Sequence, residues 1–226
     1  MFDLLFKPIN AGALELKNRI VMLPMTTGYS EADETVGSRF INFFAERAKG
    51  GAGLIIIPFA PVPAGSPLEP GLFEDRFIPG AHRLTDSIHS HGAKVAAQLI
   101  VSYHMVFKGG VAEVVAPSPE MNQLVRAIPR ELTVDEIHYL VEGYGKAAGR
   151  ARKAGFDAVE VFVGGGYLLN RFLSPISNKR RDEYGGDLTN RARFLREIVE
   201  DARETAKGEL AVTLRMSLHE AGAYGF

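Results

Sequence analysis

Tyr167 follows Gly166 and opens the run Tyr167-Leu168-Leu169-Asn170-Arg171-Phe172-Leu173-Ser174-Pro175. A phenol beside a bound substrate can act as a general acid; the alternative is a packed aromatic with its hydroxyl in water, and Gly166 before it with Leu168-Leu169 after it favours the catalytic reading. Gln98 closes the strand-like run Lys94–Leu99, and its amide both donates and accepts. Taken alone, a strand-end glutamine also serves as a solvated or loop-capping residue. Arg215 stands inside the apolar run at 211–217, where a lone charge is costly to bury without a partner. Pro24-Met25-Thr26 end a further strand-like run at 19–23, and on their own read as a proline-stopped strand with a polar turn. Chemistry at the carboxyl ends of buried strands is the habit of α/β barrels.

The elements needed to position these residues alternate along the chain. After the run at 19–23, residues 40–49 have helical spacing and stop at Gly50-Gly51. Residues 53–57 are continuous and β-branched, as in a strand buried on both faces. A helix over 81–91 precedes the strand Lys94–Leu99. Residues 101–130 read as a long irregular excursion with prolines at 117, 119 and 129. Thr133 and Glu136 form a capping-box pattern for a helix over 133–154. Then come the apolar run Ala158–Val163, a helix over 187–207 and the strand at 211–217. This alternation predicts an α/β fold with parallel strands. A doubly wound sheet and a (β/α)8 TIM barrel are the two candidates. No Gly-x-Gly-x-x-Gly follows the first strand, and the long segments after the third and fourth strands favour the barrel. With about 250 residues typical of that fold, residues 1–226 read as its N-terminal part, holding about the first five strands.

Composition narrows the function classes. A net charge of −1 gives no support for a nucleic-acid surface or a polybasic membrane patch. No cysteine is present, so disulfides, thiolate metal sites and iron–sulfur clusters within these residues are excluded. His82, His89, His91, His138 and His219 form no metal-ligand pattern and are expected at the surface. Neither a signal peptide nor an apolar run of the roughly 18–20 residues needed to span a membrane is visible. The expected setting is the cytoplasm.

Ordered segments along nearly the whole chain resemble the Old Yellow Enzyme clan of NADH:flavin oxidoreductases. They are Leu5-Phe6-Lys7-Pro8-Ile9, Lys17-Asn18-Arg19-Ile20-Val21-Met22, Pro24-Met25-Thr26-Thr27-Gly28, Glu46-Arg47-Ala48-Lys49-Gly50-Gly51, and the signature from Gly166 to Phe194. The resemblance implies a TIM barrel holding FMN that passes hydride from NAD(P)H to an activated C=C bond. It implies that Pro24, Met25 and Thr26 lie along the flavin ring, and that Gln98 contacts its pyrimidine end. Arg215 would stabilise the anionic reduced flavin, and Tyr167 would protonate the substrate carbon. Asn178, Arg180, Asp182, Tyr184, Gly185, Gly186, Asn190, Arg191 and Arg193 read as a structural latch rather than as catalysts.

The pattern also breaks. Phe162 and Gly165 stand where many members place a pair that holds the substrate carbonyl. The 2,4-dienoyl-CoA reductase branch lacks that pair too, and the segments Pro129-Arg130-Glu131-Leu132-Thr133 and Gly185-Gly186-Asp187 are similar to it. Ile176, however, stands where those enzymes tend to carry arginine. Val101 replaces a histidine three residues after Gln98, leaving His104 as the nearest imidazole. Pro58-Phe59 replace the small residues that let the backbone approach the flavin, which predicts a narrowed pocket. The residues that would hold the FMN phosphate are not among these 226. The leading expectation is therefore an ene-reductase acting on an enone or enoyl- or dienoyl-CoA. The alternatives are an amine-type dehydrogenase of the clan and a non-catalytic partial-barrel subunit. The expected partners are a small-molecule substrate and a second copy or a partner chain that completes the barrel.

Overall fold

A computed structural model of the protein describes residues 2–12, 14–63, 68–101, 112–121 and 126–220, and the backbone of 104–106. In chain order the strands are β1 (Ile9–Ala11), β2 (Leu14–Leu16), β3 (Val21–Met22), β4 (Leu54–Phe59), β5 (Lys94–Leu99), β6 (His104–Val106), β7 (Ala112–Ala116), β8 (Arg130–Glu131), β9 (Ala158–Val163) and β10 (Ala211–Met216). The helices are α1 (Ser38–Lys49), α2 (Ile78–His89), α3 (Val134–Lys153), α4 (Leu168–Leu173), α5 (Leu188–Arg191) and α6 (Arg193–Ala206).

The main sheet runs β3-β4-β5-β9-β10, with every neighbouring pair parallel. Its order follows the chain, and helices lie in every crossover, which is the progression of a (β/α)8 barrel. The two-residue period of a strand sorts the side chains. Ile55, Ile57, Phe59, Val95, Leu99, Val159 and Val161 face outward, into one core with Phe40, Phe44, Leu84, Tyr144 and Ile198 of the helices. Ile56, Ala96 and Ala158 face inward and meet Leu14 and Leu16. The β1–β2 hairpin, which the sequence reading did not assign, thus plugs the amino end of the sheet. The alternate positions further along the same inner face carry Pro58, Gln98, Glu160, Phe162 and Arg215.

Three expectations need correction. The excursion at 101–130 is not wholly irregular: β6 pairs antiparallel with β7, and β7 parallel with β8. Strands of two to five residues, paired across many intervening positions, leave no local period to read. The helix expected over 187–207 divides at Ala192, where Arg191 and Arg193 reach back to the carbonyls of Leu173, Gly186 and Glu183. His89 is not a bare surface residue, since its Nε2 lies 2.7 Å from Asp157 Oδ2. The capping box at the start of α3 forms as expected, with Glu136 N–H donating to Thr133 Oγ1 and Thr133 N–H donating to Glu136 Oε2.

Asp157, just before β9, also accepts from Lys94 Nζ at 2.7 Å and from Val95 N–H at 2.9 Å. Burial works to raise its pKa, but the donors from His89, Lys94 and Val95 outweigh it and hold the carboxyl below the ordinary range. A depressed folded-state pKa stabilises the fold above the unfolded value, about pH 4, and that contribution disappears as pH falls through the folded value. The thermal midpoint is therefore expected to decline below about pH 4. Asp157→Asn should lower the midpoint at neutral pH and flatten this decline; an unchanged acid limb in the variant would locate the acid sensitivity elsewhere.

Candidate active site

At the carboxyl end of the sheet, an open groove of about 190 Å³ is lined by Pro24, Met25, Thr26, Pro58, Gln98, Ile100, Phe162, Tyr167 and Arg215. All six candidates drawn from the sequence lie on it. They come from the ends of four strands that are far apart in sequence, and the parallel register gathers them. Pro58 pairs with Gln98, Gln98 with Glu160, and Phe162 with Arg215 across successive strands.

Tyr167 is the N-cap residue of α4, a short helix inside the long segment that follows β9. Before it, Gly165 and Gly166 adopt positive φ of 61° and 74°, a conformation that side chains with a Cβ rarely hold. Asn170 Oδ1 accepts the Gly166 N–H at 2.8 Å and Ser217 Oγ accepts the Gly165 N–H at 3.2 Å. The turn that presents the tyrosine is thus fixed from α4 and from beyond β10. The Phe162 ring meets Tyr167 edge-on, with centroids 5.3 Å apart.

Gln98 is buried, and its Nε2 donates to Glu160 Oε1 at 2.7 Å. Thr26 Oγ1 donates to Glu69 Oε1 at 2.6 Å, which leaves its oxygen lone pairs to accept. Arg215 is half-buried, and among the described residues it lies in no direct ion pair. Its charge does reach Glu160. Burial pushes the Glu160 carboxyl above its ordinary range, while the Gln98 amide and the Arg215 charge draw it back.

Glu160 was missed in the sequence. The available signal was an acidic residue inside an apolar strand, two positions before Phe162 and so on the same face. The expectation for Pro58-Phe59 is half corrected. Pro58 lines the groove, but Phe59 is fully buried on the opposite face, edge-on to Phe156. Val101 is buried in the core, and the side chain of His104 lies outside the described residues.

Behind the groove, the segment after α4 is tied down as a latch. Asn178 Nδ2 donates to the Phe172 and Tyr184 carbonyls at 2.7 and 2.8 Å. Arg180 spans Asp182 and the carbonyls of Pro117 and Leu132. A Cβ on Gly185 would overlap the Arg180 backbone, and Gly186 has φ of 85°, so this turn requires both glycines. Among the described residues no His, Asp and Glu cluster is suited to a metal ion, and no helix is long and apolar enough to cross a membrane.

The comparisons with known proteins agree with this fold. A metal reductase of Desulforamulus reducens is 42% identical over 220 residues, covering 95% of this chain and 32% of that protein. A cinnamate reductase of Clostridium sporogenes is 37% identical over 238 residues, covering 96% and 34%. The structure of a 2-naphthoyl-CoA reductase bound to 2-naphthoyl-CoA superposes on the whole chain, and on 37% of its own, with a TM-score of 0.92 and 30% identity. The chain thus spans about a third of the length of these relatives. The profile of one family matches residues 4–224, and the chain belongs to that family, the NADH:flavin oxidoreductase / NADH oxidase family.

Proposed function

We propose that the groove holds the ring of FMN and that the protein reduces an electron-poor C=C bond with NAD(P)H. The observation that carries this reading is the convergence of Gln98, Thr26, Arg215 and Tyr167 on one groove. The donor set fits a flavin. Pro24, Met25, Pro58, Ile100 and Phe162 offer an apolar wall to a flat ring. The Gln98 amide offers a carbonyl and a second N–H to a polar ring edge, and Arg215 offers positive charge where the reduced ring becomes anionic. FMN, when bound, supplies the hydride transfer from the nicotinamide to the alkene.

The chain's own residues do the rest. Gln98 and Thr26 orient the ring, and Arg215 favours its reduced form electrostatically. Tyr167 delivers a proton to the substrate carbon that does not receive hydride, and so balances the addition of H− and H+ across the double bond. The relatives named for cinnamate and 2-naphthoyl-CoA support a conjugated acid or thioester as substrate. Phe162, in place of a carbonyl-holding group, favours such an extended apolar molecule over a small enone. In the sheet β3 and β10 are the outer strands among those described; in the working protein, further strands of the same polypeptide or of a partner chain close the barrel against them. A cytoplasmic setting supplies the reduced nicotinamide.

The test is spectroscopic. The purified protein is expected to show the two visible absorption bands of oxidised flavin. Anaerobic NADPH or NADH should bleach them, and cinnamate or an enoyl-CoA should restore them. Bleaching that no conjugated alkene reverses would remove the ene-reductase assignment, and turnover of amines alone would select the dehydrogenase reading.

A further inference from the structure

Glu160 sits in the middle of β9 on the inner face of the sheet, only 7% exposed. Its register neighbours are Gln98 on β5 and Thr213 on β10, and Arg215 lies one inward position beyond Thr213. An acidic group placed there is costly to desolvate unless something repays it. What it has is the Gln98 Nε2–H, donated at 2.7 Å, and the nearby guanidinium charge. The side chain that these two groups stabilise also acts on both of them. An amide presents different chemistry on its two sides, a carbonyl that accepts and an NH2 that donates. A carboxylate only accepts, so it fixes the NH2 side of Gln98 toward β9 and leaves the carbonyl for a ligand in the groove. A carboxylate near Arg215 also offsets part of the positive field that this arginine places on the same groove.

We propose that Glu160 is a positioning residue of the flavin site: it fixes the Gln98 amide so that the carbonyl is presented to the ring, and it tempers the charge of Arg215. It touches neither cofactor nor substrate, and acts through these two neighbours. The inference rests on the flavin reading above, and its consequences separate from that reading because they concern how the flavin is held and tuned rather than whether alkenes turn over.

The experiment uses the FMN-loaded protein and Glu160→Gln, which keeps shape and volume while removing the charge and the acceptor-only character. Oxidised FMN should bind about tenfold more weakly in Glu160→Gln, a loss of about 1.4 kcal/mol. Arg215, no longer offset, should favour the reduced flavin over the oxidised form about tenfold more strongly than before, which moves the midpoint potential ~30 mV positive. Gln98→Leu should also weaken FMN binding, and adding Glu160→Gln to it should cost little more, because the two groups act as a unit. A merely structural glutamate would alter the thermal midpoint and leave the potential alone.

A folded Glu160→Gln protein with wild-type affinity and potential would overturn the inference. So would a loss of affinity that adds in full to that of Gln98→Leu. Glu160→Met removes the buried charge together with its desolvation cost; it is the second variant if Glu160→Gln does not fold, with the same expected shifts. Wild-type protein that takes up no FMN would overturn the flavin reading itself, and this inference with it.

Discussion

Replacing Tyr167 by phenylalanine is expected to slow oxidation of the reduced protein by alkene by about 10²–10⁴-fold, the range for loss of a positioned general acid. Reduction by NAD(P)H should keep its wild-type rate. The asymmetry follows from the geometry. Phenylalanine preserves the edge-on contact with Phe162 at 5.3 Å and the backbone turn that opens α4, because the Gly165 and Gly166 amides are held by Ser217 and Asn170 rather than by the phenol. The transferable proton is lost while these contacts stay. Nicotinamide oxidation needs no proton from the protein, whereas saturating a C=C bond does. Stopped-flow absorbance separates the two half-reactions. Equal slowing of both would make Tyr167 a binding or packing residue, and an unchanged oxidative half would assign the proton to water or to another group.

How much of this was legible before folding depended on the length over which each pattern ran. The apolar runs that became β4, β5 and β9 are six residues long and lie against long helices, so their period and punctuation survive in the linear text. Gln98 and Arg215 stood out because they interrupt such runs, and the structure places both on the groove. Glu160 interrupts a run in the same way and was passed over. Its significance depends on register with Gln98, which is a property of strand pairing and not of either segment alone. The pairs β1–β2 and β6–β7 were invisible for a related reason. Three to five residues carry almost no period, and their stability comes from the elements on which they pack. Phe59 shows the opposite error. Adjacent strand residues point to opposite faces, so Pro58 and Phe59 could not both narrow one pocket.

The largest loss of stability is expected at Arg180. Its side chain is 3% exposed, and Nη1 donates to the carbonyls of Leu132 and Pro117 at 2.6 and 3.1 Å. Nε and Nη2 grip Asp182 at 3.0 and 2.6 Å. One guanidinium thereby joins the segment after β7, the entry to α3 and the turn before α5. Arg180→Met fills similar space but leaves two buried carbonyls and the Asp182 carboxylate without their donor. Breaking one side of a buried charged pair costs about 3–5 kcal/mol, and for a chain of this size that lowers the thermal midpoint by roughly 10 °C.

Part of Asp182 stays in contact with solvent, so the lower end of that range is expected. Burial works to raise the Asp182 pKa, but the guanidinium and the Tyr184 N–H hold it below the ordinary range. In Arg180→Met the value should return upward, and carboxylate titration by NMR would detect the change. Arg180→Lys should recover only part of the stability, since a single ammonium cannot serve two carbonyls and a carboxylate in the planar fork that arginine provides. A loss below about 1 kcal/mol on urea unfolding, the worth of an exposed pair, would mean that the latch does not depend on this residue. A loss near the expected size should reach the chemistry as well. The latched segment begins where α4 ends, and Tyr167 caps the start of α4, so loosening one end of this short helix should move the proposed acid at the other.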